Sequence, residues 1–212
     1  MRRILKSEAG FSLIELISVM AISTVLILVS ASAISVFFNK YKEINAFVRL
    51  QTEAVRCLDV LRNGYTVGSG QFQQFYGVSN AKFVEITGRA DEAGKGTGIK
   101  ILPPISNDYQ KNDFMHIYLD NKAIRVNYTF NGVQVDSPRY LFPSREELGD
   151  YEVTKFTIGN ANQYGQISPL SLGTETTLLE VEIEARALLK KGPMPNQNKY
   201  KTVNFRTLIV RK

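Results

Sequence analysis

An apolar run near the N-terminus constrains the fold of this chain more than any other feature. From Phe11 to Phe38 the sequence carries one charged residue, Glu15, and no proline or glycine. A bilayer core is crossed by about 20 apolar helical residues, and a single spanning segment satisfies its backbone hydrogen bonds as a helix. Residues 11–38 therefore predict a transmembrane helix, in which the serine and threonine hydroxyls are tolerated.

Glu15 is the unusual residue of this run, because a carboxylate near the membrane is costly and needs a partner. One interpretation gives Glu15 a functional role. The other places its carboxylate in the headgroup layer, only a few residues into the helix, where it has no function.

The residues before the run predict its orientation. Arg2, Arg3 and Lys6 precede it, so the positive-inside bias places the N-terminus in the cytoplasm and the following domain outside. A secretory signal ends its short apolar core with a small-residue cleavage site. Here the small residue, Gly10, comes before the run. A cut at Gly10 would remove the basic leader and leave the apolar helix on the product.

The segment Gly10-Phe11-Ser12-Leu13-Ile14-Glu15 resembles the processing site of type IV prepilins and pseudopilins. That pattern is a short basic leader, glycine, an aromatic residue, three more residues, glutamate and an apolar run. The resemblance implies that a prepilin peptidase cleaves between Gly10 and Phe11, and that the new amine of Phe11 is N-methylated. It also implies that Glu15 meets the N-terminal amine of a neighbouring subunit, which supplies the partner that a carboxylate in apolar surroundings needs.

The helical pattern continues beyond Phe38 as an amphipathic segment. Apolar residues recur at intervals of three and four, with charged residues mostly on the other side, and Asn63-Gly64 is a helix stop signal. No proline occurs before Pro103, whereas major pilins commonly have a helix-weakening proline partway along the helix. The predicted apolar stripe comprises Ile44, Phe47, Val48, Ala54, Val55, Leu58 and Leu61.

The rest of the chain has β-type patterns. Residues 64–77 are expected to form a connection and residues 88–98 a long loop, while Asn131-Gly132 is a type I′ turn signal. Because short turns join consecutive strands, the sheets should be mostly antiparallel. Strands are predicted at Lys82–Ile86, Ile99–Leu102, Phe114–Leu119, Ala123–Phe130, Val133–Val135, Tyr151–Ile158, Leu178–Leu188 and Tyr200–Val210.

These elements predict an α+β fold, in which a long N-terminal helix packs on a mostly antiparallel sheet. Four segments are expected. Residues 1–10 are a prepilin leader and residues 11–38 a transmembrane or filament-core helix. Residues 39–63 continue the helix as its amphipathic part, and residues 64–212 form a β-rich globular domain.

The order of the later strands resembles that of one subgroup of pilin-like proteins. The Asn131-Gly132 hairpin is followed by a V-x-x-F strand at Val153–Phe156, an L-E-V-E-I-E strand and a terminal strand. This order is similar to the larger J-type minor pseudopilins and the related W-type minor pilins.

Composition bears on whether the chain binds nucleic acid and whether it forms a disulfide. The net charge of +6 is modest and spread out, which favours an ordinary solvated surface over a nucleic-acid footprint. Cys57 is the single cysteine, so no internal disulfide can form, and its spacing from Ala54 and Leu61 predicts a small buried apolar residue.

The sequence contains few signals of a catalytic or metal-binding site. The single histidine, His116, lies on a predicted strand without a nucleophile-elbow motif. Neither a calcium-ligand spacing nor a phosphate-loop pattern occurs, so no cofactor and no metal are expected. Acidic loop residues that could still hold calcium are Asp91, Glu92, Asp108 and Asp113. Aromatic residues that could bind a partner, but better fit a core, are Tyr65, Phe72, Phe75 and Tyr76.

The resemblance thus implies a non-enzymatic subunit of a type IV pilus or type II secretion pseudopilus. Its expected partners are prepilin peptidase, sibling pilins, the inner-membrane assembly platform and membrane lipid, and its expected location is the bacterial inner membrane before assembly. One alternative is a tip adhesin or a minor pilin that binds DNA or a secreted substrate, which aromatic and basic residues on one exposed face would favour. A membrane-anchored enzyme, which needs polar residues converging in a cleft, is another.

Overall fold

The computed structural model describes residues 12–67, 73–89, 95–104, 113–161, 167–168 and 178–211. The chain divides into two compact units, one ending at Ile44 and the other extending from Asn45 to Lys212. The expected leader and Phe11 lie outside the described residues.

One α-helix, α1, spans Leu13–Asn63. Its end confirms the stop signal at Asn63-Gly64, and Gly64 adopts a positive φ of 78°. A Cβ atom added to Gly64 would lie 1.7 Å from the carbonyl oxygen of Phe75. Glycine is therefore required here both for its backbone conformation and for the space that it leaves.

In the first unit, every described residue from Ser12 to Ile44 is exposed except Glu43. Hydroxyl groups within this stretch hydrogen-bond to carbonyl oxygens of their own helix. Ser18 donates to Ile14 and Thr24 to Met20, each at 2.8 Å. These bonds satisfy the polar hydrogens internally, which explains how hydroxyl residues fit an apolar helix.

The second unit contains the strands. They are β1 (Gly64–Val67), β2 (Gln73–Tyr76), β3 (Phe83–Thr87), β4 (Lys95–Gly96), β5 (Gly98–Leu102), β6 (Phe114–Asp120), β7 (Ala123–Phe130), β8 (Val133–Phe142), β9 (Tyr151–Ala161), β10 (Ile167–Ser168), β11 (Leu178–Lys190) and β12 (Lys199–Val210). Short 3-10 helices occur at Val78–Asn80, Arg145–Glu147 and Pro195–Gln197.

The described strands form three sheets. β1 and β2 form a hairpin, and a larger sheet has the order β3-β5-β6-β7-β8. The third sheet has the order β10-β9-β11-β12, with β4 also paired to β9. Every pairing between these strands is antiparallel. The predicted α+β class, with a long helix on antiparallel sheet, is confirmed.

Two hairpin turns follow the sequence closely. Asn131 and Gly132 have φ values of 51° and 73°, and Asn121 and Lys122 have values of 48° and 65°. Positive φ at both central residues is the requirement of a type I′ turn. The strands on either side of these turns were predicted, although β8 continues to Phe142 instead of ending at Val135.

One hydrophobic cluster joins the helix to both larger sheets. From the helix it contains Ala46, Leu50, Cys57 and Leu61, and from the sheets it contains residues such as Ile117 and Ile183. Ala54 is also buried. The buried helix positions recur every three or four residues and define one face.

The predicted apolar stripe was partly wrong. Ala54 and Leu61 are buried and Leu58 packs against the cluster, but Phe47, Val48 and Val55 are 39%, 51% and 55% exposed. Ile44, in the first unit, is exposed as well. The face turned to the sheets carries Leu50 and Leu61 together with the smaller Ala46, Ala54 and Cys57.

Two predicted loops also contain strands. Residues 64–77 include β1 and β2, and residues 88–98 include β4. The pairing partner of β4 lies far along the chain, on β9, so no local pattern could have revealed it.

Candidate functional site

The candidate site at the start of α1 is a capping box. Ser12 precedes the first helical residue, Leu13, and Glu15 is the third residue of the helix. The backbone N–H and the hydroxyl of Ser12 both donate to Glu15 Oε2, at 2.8 and 3.0 Å. In return, the backbone N–H of Glu15 donates to Ser12 Oγ at 3.3 Å. These reciprocal bonds satisfy donors that a helix start would otherwise leave unpaired.

The structure thus gives Glu15 a partner within its own chain. These bonds do not distinguish the two sequence interpretations of Glu15, a functional role or a position in the headgroup layer without function. Gly10 and Phe11, the other predicted processing and assembly residues, lie outside the described residues.

Ser12 is a residue that the sequence analysis missed, because it was counted only among the tolerated hydroxyls. The spacing Ser-x-x-Glu directly before an apolar run is itself the capping-box signature. That signal was present in the sequence and could have assigned Ser12 a role.

The helix that follows this cap can cross a membrane by length and composition. Within the described residues it is the one helix that qualifies, with a mean hydropathy of 2.4 over its most apolar window. None of that window is buried by the rest of the chain. A helix that is apolar and unburied is suited to lipid or to other helices.

A second surface of interest lies on the outer side of the β3-β5-β6-β7-β8 sheet. We call it the aromatic–basic face, and its residues are Lys100, Phe114, His116, Tyr118, Arg125 and Tyr140. All six are half-buried, whereas Met115 and Ile117, which alternate with them on β6, are buried. Neighbouring strands therefore bring together aromatic and basic side chains that are distant in the sequence.

The aromatic–basic face is held together by its own contacts. Lys100 Nζ lies 4.2 Å from the Phe114 ring centre, and Arg125 donates to the Tyr140 hydroxyl at 2.7 Å. Arg125 also pairs with Asp120 at 2.9 Å, so its charge is balanced. The rings of His116 and Tyr118 stack with centres 4.7 Å apart. Such cation–π and aromatic contacts make the face a dense, ordered surface.

The surroundings of His116 favour its neutral form. Its Nε2 lies 2.8 Å from the Thr87 hydroxyl, within hydrogen-bond distance. Burial lowers the pKa of His116, the positive charge of Lys100 lowers it further, and Glu85 partly opposes them. The half-buried imidazole thus contacts a neighbouring strand through Thr87.

Of the acidic residues that were considered as possible calcium ligands, the structure describes only one. Asp113 is buried and accepts a hydrogen bond from the backbone N–H of Gly132 at 3.1 Å, so it supports the β7–β8 turn. Asp91, Glu92 and Asp108 lie outside the described residues. Across the part of the chain that is described, no group of three or more His, Cys, Asp or Glu side chains could hold a metal ion.

Two further sequence predictions concern burial. Cys57 is 2% exposed, which confirms its prediction as a buried apolar residue, and burial raises the pKa of its thiol to about 12. Phe75 is buried and packs against Tyr128 with ring centres 4.4 Å apart, so it belongs to the core as predicted. Tyr76 is half-buried. Phe72 and the side chain of Tyr65 lie outside the described part.

Comparison with known protein families found one relevant match. The family model of the prokaryotic N-terminal methylation motif matches residues 5–31, which include the capping box and the first part of the apolar helix. No curated protein and no solved structure matched the chain.

The match supports a type IV pilin-like protein, that is, a pilin or pseudopilin processed by prepilin peptidase. Such a motif implies interaction with the peptidase and with other pilins in general. The apolar helix and the motif together are consistent with a membrane-anchored pilin, and they suggest a structural, non-enzymatic protein.

Proposed function

We propose that this chain is a minor structural subunit of a type IV pilus or a type II secretion pseudopilus. Prepilin peptidase cleaves between Gly10 and Phe11, and the new amine of Phe11 is N-methylated. The subunit then leaves the inner membrane through the assembly platform and enters the filament through its N-terminal helix. The observation that carries this proposal is the methylation motif matched over residues 5–31.

The proposed chain has four functional segments, with the boundaries expected from the sequence. Residues 1–10 are removed, residues 11–38 anchor the subunit, residues 39–63 continue the helix, and residues 64–212 form the β-rich domain. The positive residues before the run favour a single pass with a cytoplasmic N-terminus and an extracytoplasmic domain. The strand order supports a J-type pseudopilin or a W-type minor pilin as the subtype.

Glu15 is proposed as the assembly residue. In a filament its carboxylate would face the Phe11 amine of a neighbouring subunit. Placing a positive amine beside the carboxylate would offset the desolvation of both groups in an apolar filament core. The exposed position of Glu15 at the start of an unburied helix is compatible with this contact.

Processing is tested by the intact mass of the membrane-extracted protein from cells that contain prepilin peptidase. Wild type should lack residues 1–10 and carry one methyl group on Phe11. Gly10→Arg should retain the leader, because a bulky side chain blocks the junction. Ala9→Ser, a matched change one residue upstream, should be cleaved normally. A wild-type product that still begins at Met1 would overturn the proposal.

A second candidate function is a binding subunit at the filament tip, which the aromatic–basic face favours. Its stacked rings and its two cations offer contacts to DNA, to a surface or to a secreted substrate. Balanced charge on Arg125 weakens the case for nucleic acid, because phosphate binding depends on uncompensated cations. A membrane-anchored enzyme remains the third possibility and would require polar residues converging in a cleft.

The double variant Lys100→Ala/Tyr118→Ala separates the two candidates. For a purely structural subunit, it should leave filament incorporation, cell adhesion to polystyrene and uptake of a DNA fragment unchanged. For a binding subunit, incorporation should stay normal while adhesion or uptake falls. Lys190→Ala/Lys191→Ala, at an exposed basic pair outside this face, is the control.

A further inference from the structure

β12 forms one edge of the sheet β10-β9-β11-β12. From Tyr200 to Val210 it pairs with β11 in an unbroken register, and the one register shift lies beyond Tyr200, between Leu188 and Lys190. Within the described part of the chain, no strand pairs with the other side of β12. A strand directs its N–H and C=O groups alternately to its two sides, so about half of those in β12 face away from β11.

The other strands at sheet edges are less suited to bind an additional strand. β3 has five residues, and β4 and β10 have two each. β8 contains Pro138, which has no N–H, and pairs with β7 through two register shifts. Short strands, prolines and bulges are devices that protect sheet edges from further pairing. β12 has twelve residues, with neither a proline nor a bulge from Tyr200 to Val210.

The two faces of β12 offer different side chains to a neighbouring strand. On the face towards α1, Val203 and Phe205 are half-buried and pack against the core. On the same face, Lys201 Nζ lies 6.0 Å from the ring centre of Phe47. Apolar side chains of an added strand would therefore contact Val203 and Phe205. The residues exposed on the opposite face are Thr202, Asn204, Arg206, Leu208 and Val210.

The start of β12 is basic. Lys199 lies opposite Lys190 of β11, and Lys191 follows directly in the chain. All three are exposed, and among the residues that the structure describes none of them forms an ion pair. Like charges directly opposite each other on paired strands are unfavourable. A carboxylate placed beyond Lys199 would relieve this repulsion.

Arg206 provides a second basic contact near the other end of the strand. It pairs with Glu180 of β11, yet its side chain remains 66% exposed while that of Glu180 is buried. A guanidinium has five N–H donors, so the open side of Arg206 can bind a second carboxylate. β12 carries three cationic residues and no acidic residue. A second copy of β12 would add positive charge at this edge, whereas an acidic strand would balance it.

We propose that the outer edge of β12, from Lys199 to Leu208, binds an extended segment of another protein as an added β-strand. In this segment, apolar residues alternate with residues that include Asp or Glu. Main-chain hydrogen bonds would supply affinity, while Val203, Phe205 and the basic residues would supply selectivity. The surface belongs to a different sheet from the aromatic–basic face, and a binding role for it goes beyond the proposed structural function.

Two features of the structure define this segment. β11 is an example of its chemistry, because the alternating apolar and acidic residues of β11 already pair with the other side of β12. The site stops before the end of the strand, because Arg211 donates to the carbonyl oxygen of Lys82 at 3.5 Å. Another part of the domain therefore approaches the last residues of β12.

Binding is tested with the full chain in detergent micelles and a fluorescent peptide, Thr-Val-Glu-Val-Thr-Val-Thr-Glu-Thr-Glu. Antiparallel to β12, this peptide places glutamates opposite Arg206, Lys201 and Lys199, and valines opposite Phe205 and Val203. Fluorescence anisotropy should show saturable binding. A peptide with lysine in place of each glutamate should bind at least about tenfold more weakly, because like charges at an interface disfavour association.

A charge reversal on the protein gives a matched comparison. Lys199→Glu should weaken binding of the glutamate peptide about tenfold, because it places like charges side by side. Arg89→Glu makes the same change of net charge at an exposed residue just after β3, and should leave the affinity near wild type. Similar losses for the two variants would mean that only the net charge of the domain attracts the peptide, and would overturn the proposed site.

Strand addition itself is tested through the peptide backbone. Two versions of the peptide carry N-methyl groups on alternate residues, either all odd or all even. One version should lose binding and the other should keep it, because an added strand uses the N–H groups of one side only. Hydrogen exchange of the β12 amides should slow when the unmodified peptide is bound. Both methylated versions binding as tightly as the unmodified peptide would exclude a backbone ladder.

Other results would also overturn the inference. They are the absence of saturable binding, equal affinity for the glutamate and lysine peptides, and tighter binding of oligothymidine, which would assign the basic residues to nucleic acid. A dimer of the chain in sedimentation, with β12 amides protected before peptide is added, would make the occupant a second copy. None of these outcomes bears on cleavage at Gly10 or on filament entry, so the proposed function is judged separately.

Discussion

Glu152 accepts hydrogen bonds from both Nε and Nη2 of Arg186, at 2.8 and 2.6 Å, across the paired strands β9 and β11. Lys122, from the β6–β7 turn, reaches the other carboxylate oxygen at 3.0 Å. The carboxylate therefore connects a turn of one sheet to two strands of the other. Arg186 also lies over the Tyr200 ring, 4.2 Å from its centre, so the cluster extends to β12.

Replacing this carboxylate should destabilise the protein in a pH-dependent way. Burial tends to raise the pKa of Glu152, but hydrogen bonds and charge from Arg186 and Lys122 outweigh it and lower the pKa below 4.5. A lowered pKa contributes stability that is fully present above pH 4.5 and is lost as the pH falls through the folded-state value. Glu152→Gln should therefore cost about 1–2 kcal/mol at pH 7.

Urea unfolding at several pH values measures this effect. The difference between wild type and Glu152→Gln should shrink steadily below pH 4.5. Glu53→Gln is the matched control, because Glu53 pairs at 3.6 Å with the exposed Arg56, and the change should cost under about 0.5 kcal/mol. A difference for Glu152→Gln that does not change with pH would contradict the ionic explanation.

Two glycines with similar φ values should respond differently to alanine. At Gly64 an added Cβ meets the Phe75 carbonyl oxygen, whereas at Gly132 nothing lies within 4 Å. Gly132→Ala should cost about 1 kcal/mol, the penalty of positive φ alone. Gly64→Ala should cost about 2–4 kcal/mol, since a backbone clash adds to that penalty. Thermal unfolding of both variants gives the comparison, and equal losses would mean that the contact at Gly64 relaxes freely.

Removing the apolar half of α1 should leave a domain that folds in water. A chain that begins near Lys40 retains the helix residues that join the core, including Leu50 and Leu61. Circular dichroism should show substantial β content together with helix. A matched chain that begins at Gly64 should aggregate, because losing Leu50 and Leu61 alone removes about 3–6 kcal/mol of burial. Insolubility of the longer chain would count against a separable domain.

Replacing Glu15 should separate insertion from assembly. Glu15→Val should insert and be cleaved, because an apolar side chain suits the membrane at least as well as a carboxylate. Incorporation with sibling subunits should fall, because the Phe11 amine of the neighbour loses its partner. Glu15→Asp should be intermediate, since the charge remains on a shorter side chain. Incorporation of Glu15→Val at the wild-type level would reject the assembly role and favour the interpretation in which Glu15 lies in the headgroup layer without a function.

Local sequence patterns predicted much of this fold. The apolar run, the Asn63-Gly64 stop and the Asn131-Gly132 turn depend on residues close together in the chain. Each is determined by the side chains and backbone angles of a few neighbouring residues. The helix therefore ends where predicted and the turn lies where predicted, although the strand after the turn is longer than expected.

Features that depend on distant partners were harder to predict. The predicted apolar stripe of the helix included Phe47, Val48 and Val55, which the structure leaves exposed. The buried face also contains Ala46 and Leu50, which the stripe left out, because periodicity alone does not show which side of a helix meets the sheets. The aromatic–basic face likewise arises from strand register, which the order of residues does not reveal.

Because Cys57 is buried, the reactivity of its thiol can report local unfolding of the chain. A thiol that is 2% exposed and has a pKa of about 12 is shielded from reagents in two ways, by lack of access and by lack of thiolate. As the single cysteine, it gives one signal without background. The rate at which a disulfide reagent labels it would follow how often the helix separates from the sheets, and so measures the free energy of that local unfolding.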